Sequence, residues 1–182
     1  MAEPRKPEPA LLVVAAFSRH REALTWTEQH LQESFGPIAM ASAIYSFDQT
    51  TYYEATMGPA LQKQLLAFEQ LRCEDQLADI KLRSNDLERQ FTKTGYFPEP
   101  RPLNLDPGLL TLGKFLLATT KDQAHRIYLR DGIYAEVTLR FQAGQFEPWS
   151  WTYADYRQQH VRAALNEFRD YYKSRLIAAR PS

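Results

Sequence analysis

The chain has 182 residues, with 22 basic and 22 acidic side chains, so it is formally neutral. That length buries a core without staples, and the charge balance argues against broad electrostatic capture of nucleic acid, which needs a basic face. A single cysteine, Cys73, excludes an internal disulfide and a cysteine-built zinc site.

Residues 1–10, "MAEPRKPEPA", are charged and Pro-rich and read as a flexible N-terminal tail with no apolar leader. No apolar run approaches the roughly 20 residues of a membrane helix. The expectation is a soluble, cytoplasmic protein with no membrane partner. Residues 11–182 read as one α+β domain.

"LLVVAAF", Leu11 to Phe17, is a short continuous apolar run, the pattern of a strand buried on both faces. Ser18 then suits an N-cap, Leu24, Thr27, Leu31 and Phe35 share a helical face, and Gly36-Pro37 supplies the stop. A strand is predicted over Ile38–Phe47, a loop over "DQTTYYEATMGP", and a strand over Ala60–Arg72. "EDQLADIKLRSNDLERQF" is a helix with an acidic first turn and a stripe of Leu77, Ile80, Leu87 and Phe91. Asp79 and Arg83, four apart, are set to pair. A short strand at "LNLD" and a turn at "DPG" follow.

Strand, helix, strand, strand, helix, strand is the order of a ferredoxin-like split βαβ unit, here residues 11–106. Helices cover one face of that sheet, yet the first strand is apolar on both. Residues 107–182 are therefore expected to cover the other face, as an elaboration containing a β-meander and a long terminal helix. "LLTLGKFLLATT" is a short helix or a buried strand. The terminal helix is predicted from Thr152 as N-cap, with Tyr156, Val161, Leu165, Phe168, Tyr172 and Leu176 as its stripe.

"HRIYLRDGIYAEVTLRF" reads as a hairpin with Ile127, Leu129, Ile133, Val137 and Leu139 inward. Keeping apolar residues on one face favours a three-residue turn, Arg130 to Gly132. That register sets Tyr128 beside Tyr134 and Arg126 opposite Glu136. "QAGQ" turns the chain again, placing Phe141 by Phe146 and Arg140 by Glu147.

The blocks "YYEATMGP", "LADIKLRSNDLE", "NLDPGLLTLGKFLLATTKDQAHRIYLRDGIYAEVTL" and "FEPWSWTYADYR" resemble the bacterial domain-of-unknown-function 4416 family over nearly all of the chain after the tail. The resemblance implies a stand-alone bacterial cytoplasmic protein. It carries no catalytic or ligand residues across.

Candidate site residues come from the chemistry of the side chains. Lys121, His125 and Glu136 are the catalytic candidates: His is the acid or base of neutral pH and Lys holds an anion. Arg126, steadied by Glu136, is an anion-binding candidate; the alternative is an ordinary cross-strand ion pair worth roughly 0.2–1 kcal/mol. Lys81 and Asn85 lie four apart beside the second helix's stripe, and Asn104, Tyr128 and Tyr134 complete the ligand-binding set. Asp48, Glu54 and Asp106 would form an oxygen-ligand metal site only if their loops met; the alternative for "DPG" is turn chemistry. Phosphate-loop, dinucleotide and zinc-helix fingerprints do not occur, and no cofactor is implied. The leading expectation is binding of, or action on, a small anionic or phosphorylated ligand. The alternatives are a non-catalytic interaction or assembly module of unassigned oligomeric state, and single-stranded RNA binding on the tyrosine face of the sheet.

Overall fold

A computed structural model describes residues 3–179. Its element order is β1 (Ala10–Ser18), α1 (Arg21–Phe35), β2 (Ile38–Ala41), β3 (Tyr45–Ser46), α2 (Glu54–Met57), β4 (Gln62–Arg72), α3 (Leu77–Lys93), β5 (Asn104–Leu110), β6 (Lys114–Thr119), β7 (Ile127–Arg130), β8 (Ile133–Gln142), β9 (Gln145–Pro148) and α4 (Gln159–Ala178). All strands join one sheet in the order β2-β4-β1-β5-β6-β8-β7, with β3 on β4 and β9 on β8. Neighbouring strands are antiparallel throughout. β4 lies between β1 and β2, and β1 lies between β4 and β5.

Both faces of the sheet are covered, which is why every residue of β1 is buried. Leu12, Val14 and Ala16 pack with Leu24 and Leu31 of α1 and Ile80, Leu87 and Phe91 of α3. Leu11, Val13 and Ala15 face Val161, Leu165, Phe168 and Tyr172 of α4. The terminal helix is thus the second cover that the apolar first strand demands.

Several local expectations are corrected. Ser18 does not cap α1; it ends β1, where its hydroxyl donates to Pro102 O at 2.6 Å and accepts from His20 N–H. α4 begins at Gln159, and Thr152 instead ties the preceding loop to β8 through Thr138 O at 2.5 Å. Asp79 pairs with Arg130 of the hairpin, not with Arg83. The "LLTLGKFLLATT" segment is the β5–β6 hairpin. "DPG" is not a turn: Asp106, Pro107 and Gly108 all lie within β5.

In the second hairpin Tyr128 does face Tyr134, edge to face at 5.3 Å, and Phe141 faces Phe146. The turn, however, has two residues, Asp131 and Gly132, both at positive φ (54° and 75°), and a bulge at Leu129 restores the register. β7 lies at the sheet's end with Ile127 70% exposed, so its apolar residues are outside the core. β8 bonds to β6 along one edge, and β7 and β9 share its other edge. A second irregularity leaves Thr138 unpaired in the β6–β8 ladder. Parity flips there: Ile133 packs on the α1–α3 side and Leu139 on the α4 side. Glu136 and Thr138, expected on a solvated face, are buried.

β5 and β6 pair only over Gly108–Leu110 with Phe115–Leu117. The approach is close, since a Cβ on Gly108 would sit 2.2 Å from Leu116 O. Gly108→Ala is expected to lower stability by about 3 kcal/mol, the cost of forced overpacking. Denaturant unfolding would measure it, and an unchanged midpoint would contradict the close approach.

Candidate functional site

Beyond Gly108 the two strands separate: β5 stays with β1 while β6 stays with β8. A cavity of about 390 Å³ opens at this end of the sheet, on the α4 side. Successive strands each present a side chain to it: Lys63 of β4, Phe17 of β1, Asp106 of β5, Leu117 of β6 and Glu136 of β8. Its walls are the loops around Gln49–Tyr53, Thr120–Gln123 and Tyr153–Tyr156.

Lys63, 2% exposed, donates to Asp155 Oδ2 at 2.7 Å. Its ammonium lies 4.7–5.2 Å from the ring centres of Phe17, Phe47 and Tyr156, a cation–π enclosure. Phe17 and Lys63 are direct cross-strand neighbours, so the β1–β4 register places them together. Lys81 reaches in from α3 on the opposite face of the sheet. It donates to Leu105 O at 2.8 Å and to Asp106 Oδ1 at 3.2 Å. Burial works to raise the Asp106 pKa, but Lys81, Lys63 and Arg101 outweigh it and hold the group below the ordinary carboxylate value. Asn104 donates to Asp106 Oδ2 at 2.9 Å and accepts from Arg101. Arg101 also pairs with Glu88 of α3 at 3.0 Å, and Glu88 accepts from Leu105 N–H at 2.7 Å. Burial pushes the Glu88 pKa up, with Lys81 and Arg101 opposing.

On the far wall Glu136 accepts from Arg126 Nε at 2.8 Å and from Thr138 at 3.1 Å. His125 Nε2 lies 3.3 Å from the same carboxylate, its ring stacked on Trp151. The Arg126 guanidinium also donates to Lys121 O and to Tyr153 OH. The Tyr153 pKa is raised by burial and by Glu136. At the mouth Lys121 donates to Tyr52 OH at 3.1 Å. That bond and the charge of Lys121, helped by Arg101, lower the Tyr52 pKa despite some desolvation. The Tyr156 hydroxyl, on a residue 1% exposed in the cavity wall, has no hydrogen-bond partner among the described residues.

Of the residues predicted from sequence, Lys81, Asn104, Lys121 and Glu136 line this cavity, as does Asp106. Arg126 and His125 do not line the cavity; they stand behind Glu136, and Arg126 also holds the wall at Lys121 O and Tyr153 OH. Asn85 on α3 is half-buried and does not line it. Tyr128 and Tyr134 form their pair on the outer hairpin, outside it. Asp48, on its loop, and Glu54, at the start of α2, are exposed and do not join Asp106. Among the described residues no three His, Cys, Asp or Glu side chains cluster as a metal site would require. The metal candidates are therefore not brought together.

Sequence reasoning passed over Lys63, Asp155, Arg101 and Tyr156. Lys63 left a signal: it shares the parity of Leu65 and Ala67, so it is a lysine on the inward face of a buried strand. Asp155 left none, since its partner lies 92 residues away.

The model of the family described as Domain of unknown function (DUF4416) matches residues 8–172. The chain belongs to this family. No curated protein and no solved structure matches it. The DUF4416 match spans every residue named in the cavity. Among the described residues no helix is long and apolar enough to cross a membrane.

Two predictions come from these charges. The Arg126 and Glu136 side chains are each 1% exposed. Arg126→Ala leaves the buried Glu136 carboxylate with Thr138 and, at 3.3 Å, His125 but without its guanidinium, so urea unfolding should show a loss of about 3 kcal/mol; a loss of a few tenths would mean a solvated pair. Asp106, with its folded pKa below its ordinary 3.8, contributes stability that is fully present above that value. The contribution disappears as pH falls through the lowered folded value. The stability gap between wild type and Asp106→Asn should therefore be constant from neutral pH to about 5 and close below 3.8. Chemical denaturation across that range would measure it, and a gap that widened in acid would reverse the sign.

Proposed function

We propose that this protein binds a small, polar, anionic ligand in the cavity at the parting of β5 and β6. The observation that carries this reading is an imbalance of hydrogen-bonding capacity. Both oxygens of Asp106 and of Glu136 already accept from protein donors. The donors are less engaged. An ammonium group offers three N–H bonds; Lys81 makes two hydrogen bonds, Lys63 one and Lys121 one. The buried Tyr156 hydroxyl makes none. An acceptor-rich ligand completes such a wall, because buried polar groups are rarely left unpaired. The volume, about 390 Å³, falls within the range of small-molecule sites.

The interleaved β2-β4-β1-β5 order supports a ferredoxin-like reading of the first half. The free, part-exposed Cys73 fits a reducing compartment and supports a cytoplasmic setting.

Tyr156→Phe separates function from scaffold. The hydroxyl makes no hydrogen bond, so its removal should leave stability unchanged or raise it by about 1 kcal/mol, relieving a desolvated donor. Ligand affinity should fall about tenfold, one lost hydrogen bond to an anion. A thermal-shift screen of carboxylated, sulfonated and phosphorylated metabolites, run on both proteins, is the measurement. No stabilising compound for wild type would sink the reading, as would a ligand that binds both proteins equally.

A further inference from the structure

The cavity is not uniform. Its inner part holds Lys63 with Asp155 and Lys81 with Asp106, each cation facing a carboxylate. Lys63 is 3% and Asp155 4% exposed in their side chains, so this pairing is complete and local. The rim is different. Among the described residues Lys121 has no carboxylate partner; its ammonium meets the Tyr52 hydroxyl at 3.1 Å and lies 4.2 Å from that ring's centre. Arg101, 38% exposed, stands close enough for its charge to act on the same Tyr52 hydroxyl. The mouth therefore holds one cation without a carboxylate, Lys121, beside Arg101, which meets Glu88 and Asn104 through a single guanidinium nitrogen, and paired charge sits inside.

The inner wall also lacks open ring surface. Phe17, Phe47 and Tyr156 surround the Lys63 ammonium, and Phe17 and Phe47 pack on Tyr53 at 5.0 and 5.8 Å. A flat heterocycle would find these faces taken. A hydroxyl group is suited to such a wall, because it both donates and accepts. Lysine N–H groups, the Tyr156 hydroxyl and the Asp155 carboxylate, which accepts only from Lys63, supply both kinds of partner.

We infer that the ligand is a phosphorylated polyol of the sugar-phosphate class, with its phosphate at Lys121 and Arg101 and its hydroxyls inward among Lys63, Asp155, Lys81 and Tyr156. This rests on the binding reading above and adds its chemical class and direction. Lys121 is exposed, so its removal leaves the fold intact. It is the cation that distinguishes the phosphorylated compound from its parent sugar.

Isothermal titration calorimetry of the full chain tests this with ribose 5-phosphate and glucose 6-phosphate, the two parent sugars, inorganic phosphate and adenosine monophosphate. The expected result is binding of a sugar phosphate that exceeds its parent sugar and inorganic phosphate by about tenfold or more, the strength of one charge-assisted hydrogen bond. Lys121→Ala should remove that preference while leaving the weak parent-sugar affinity in place, and added salt should act in the same direction. Parent sugar binding as tightly as its phosphate would overturn the rim assignment. So would an unchanged preference in Lys121→Ala. Inorganic phosphate or adenosine monophosphate binding better than either sugar phosphate would overturn the polyol assignment and leave the proposal of an anion-binding cavity standing. If none of these compounds binds, the sugar-phosphate assignment fails; a hit from the wider anion screen then keeps the binding reading, and silence there removes both.

Discussion

The structure depends on how the parting of β5 from β6 is made tolerable. A buried strand edge without a partner leaves peptide N–H and C=O groups desolvated, a cost the fold has to answer. At Leu105 the answer comes from α3: Lys81 donates to the carbonyl and Glu88 accepts from the N–H. The two side chains are about two helical turns apart and lie on one face of the helix. Together they replace the strand that is missing. Because Lys81 passes to Asp106 as well, a helix on one side of the sheet delivers charge to a cavity on the other.

This accounts for the Asp-Pro-Gly segment. In an antiparallel ladder, alternate residues direct their peptide groups to the same edge. Pro107 shares the orientation of Leu105 and therefore faces the gap, where an N–H would find no strand. Asp106 points into the cavity and receives Lys81 and Asn104. Gly108 stands where β6 closes in. Three residues that signal a turn in isolation instead mark the cavity lip, the parting and the point of closest approach. Local turn chemistry loses because β1 holds this strand along its whole length from Asn104 to Leu110.

How much of this was legible follows from the range of each interaction. The two-sided burial of β1, the helical faces of α1 and α3, and the Tyr128–Tyr134 and Arg126–Glu136 neighbours are set by periodicity within one element or one hairpin. Bulges are where that reading failed. One at Leu129 converted a three-residue turn into a two-residue one, and one at Thr138 exchanged the faces of β8 beyond it. The Arg126–Glu136 pair precedes that bulge and is buried because its face of the sheet is covered at the cavity wall. Strand parity cannot anticipate an extra residue whose cause lies in the partner. The Lys63–Asp155 pair, 92 residues apart, lies beyond any local pattern. Lys81, Asn104, Lys121, Glu136 and Asp106 were nameable as chemistry, but their convergence is a property of the sheet's order.

The same economy constrains what the site can do. Each buried cation needs a counter-charge, because an isolated charge in this interior would be strongly disfavoured. Lys63 and Lys81 satisfy that through Asp155 and Asp106. Both are hydrogen-bond donors held in place by those carboxylates. Among the described residues His125 meets one carboxylate, Glu136. Glu136 is also fixed by Arg126 and Thr138, so it links His125 to the cavity wall without being free to turn into it. The groups that line the interior are positioned by the repair of the sheet, and Lys121 stands exposed at the entrance, held by Tyr52.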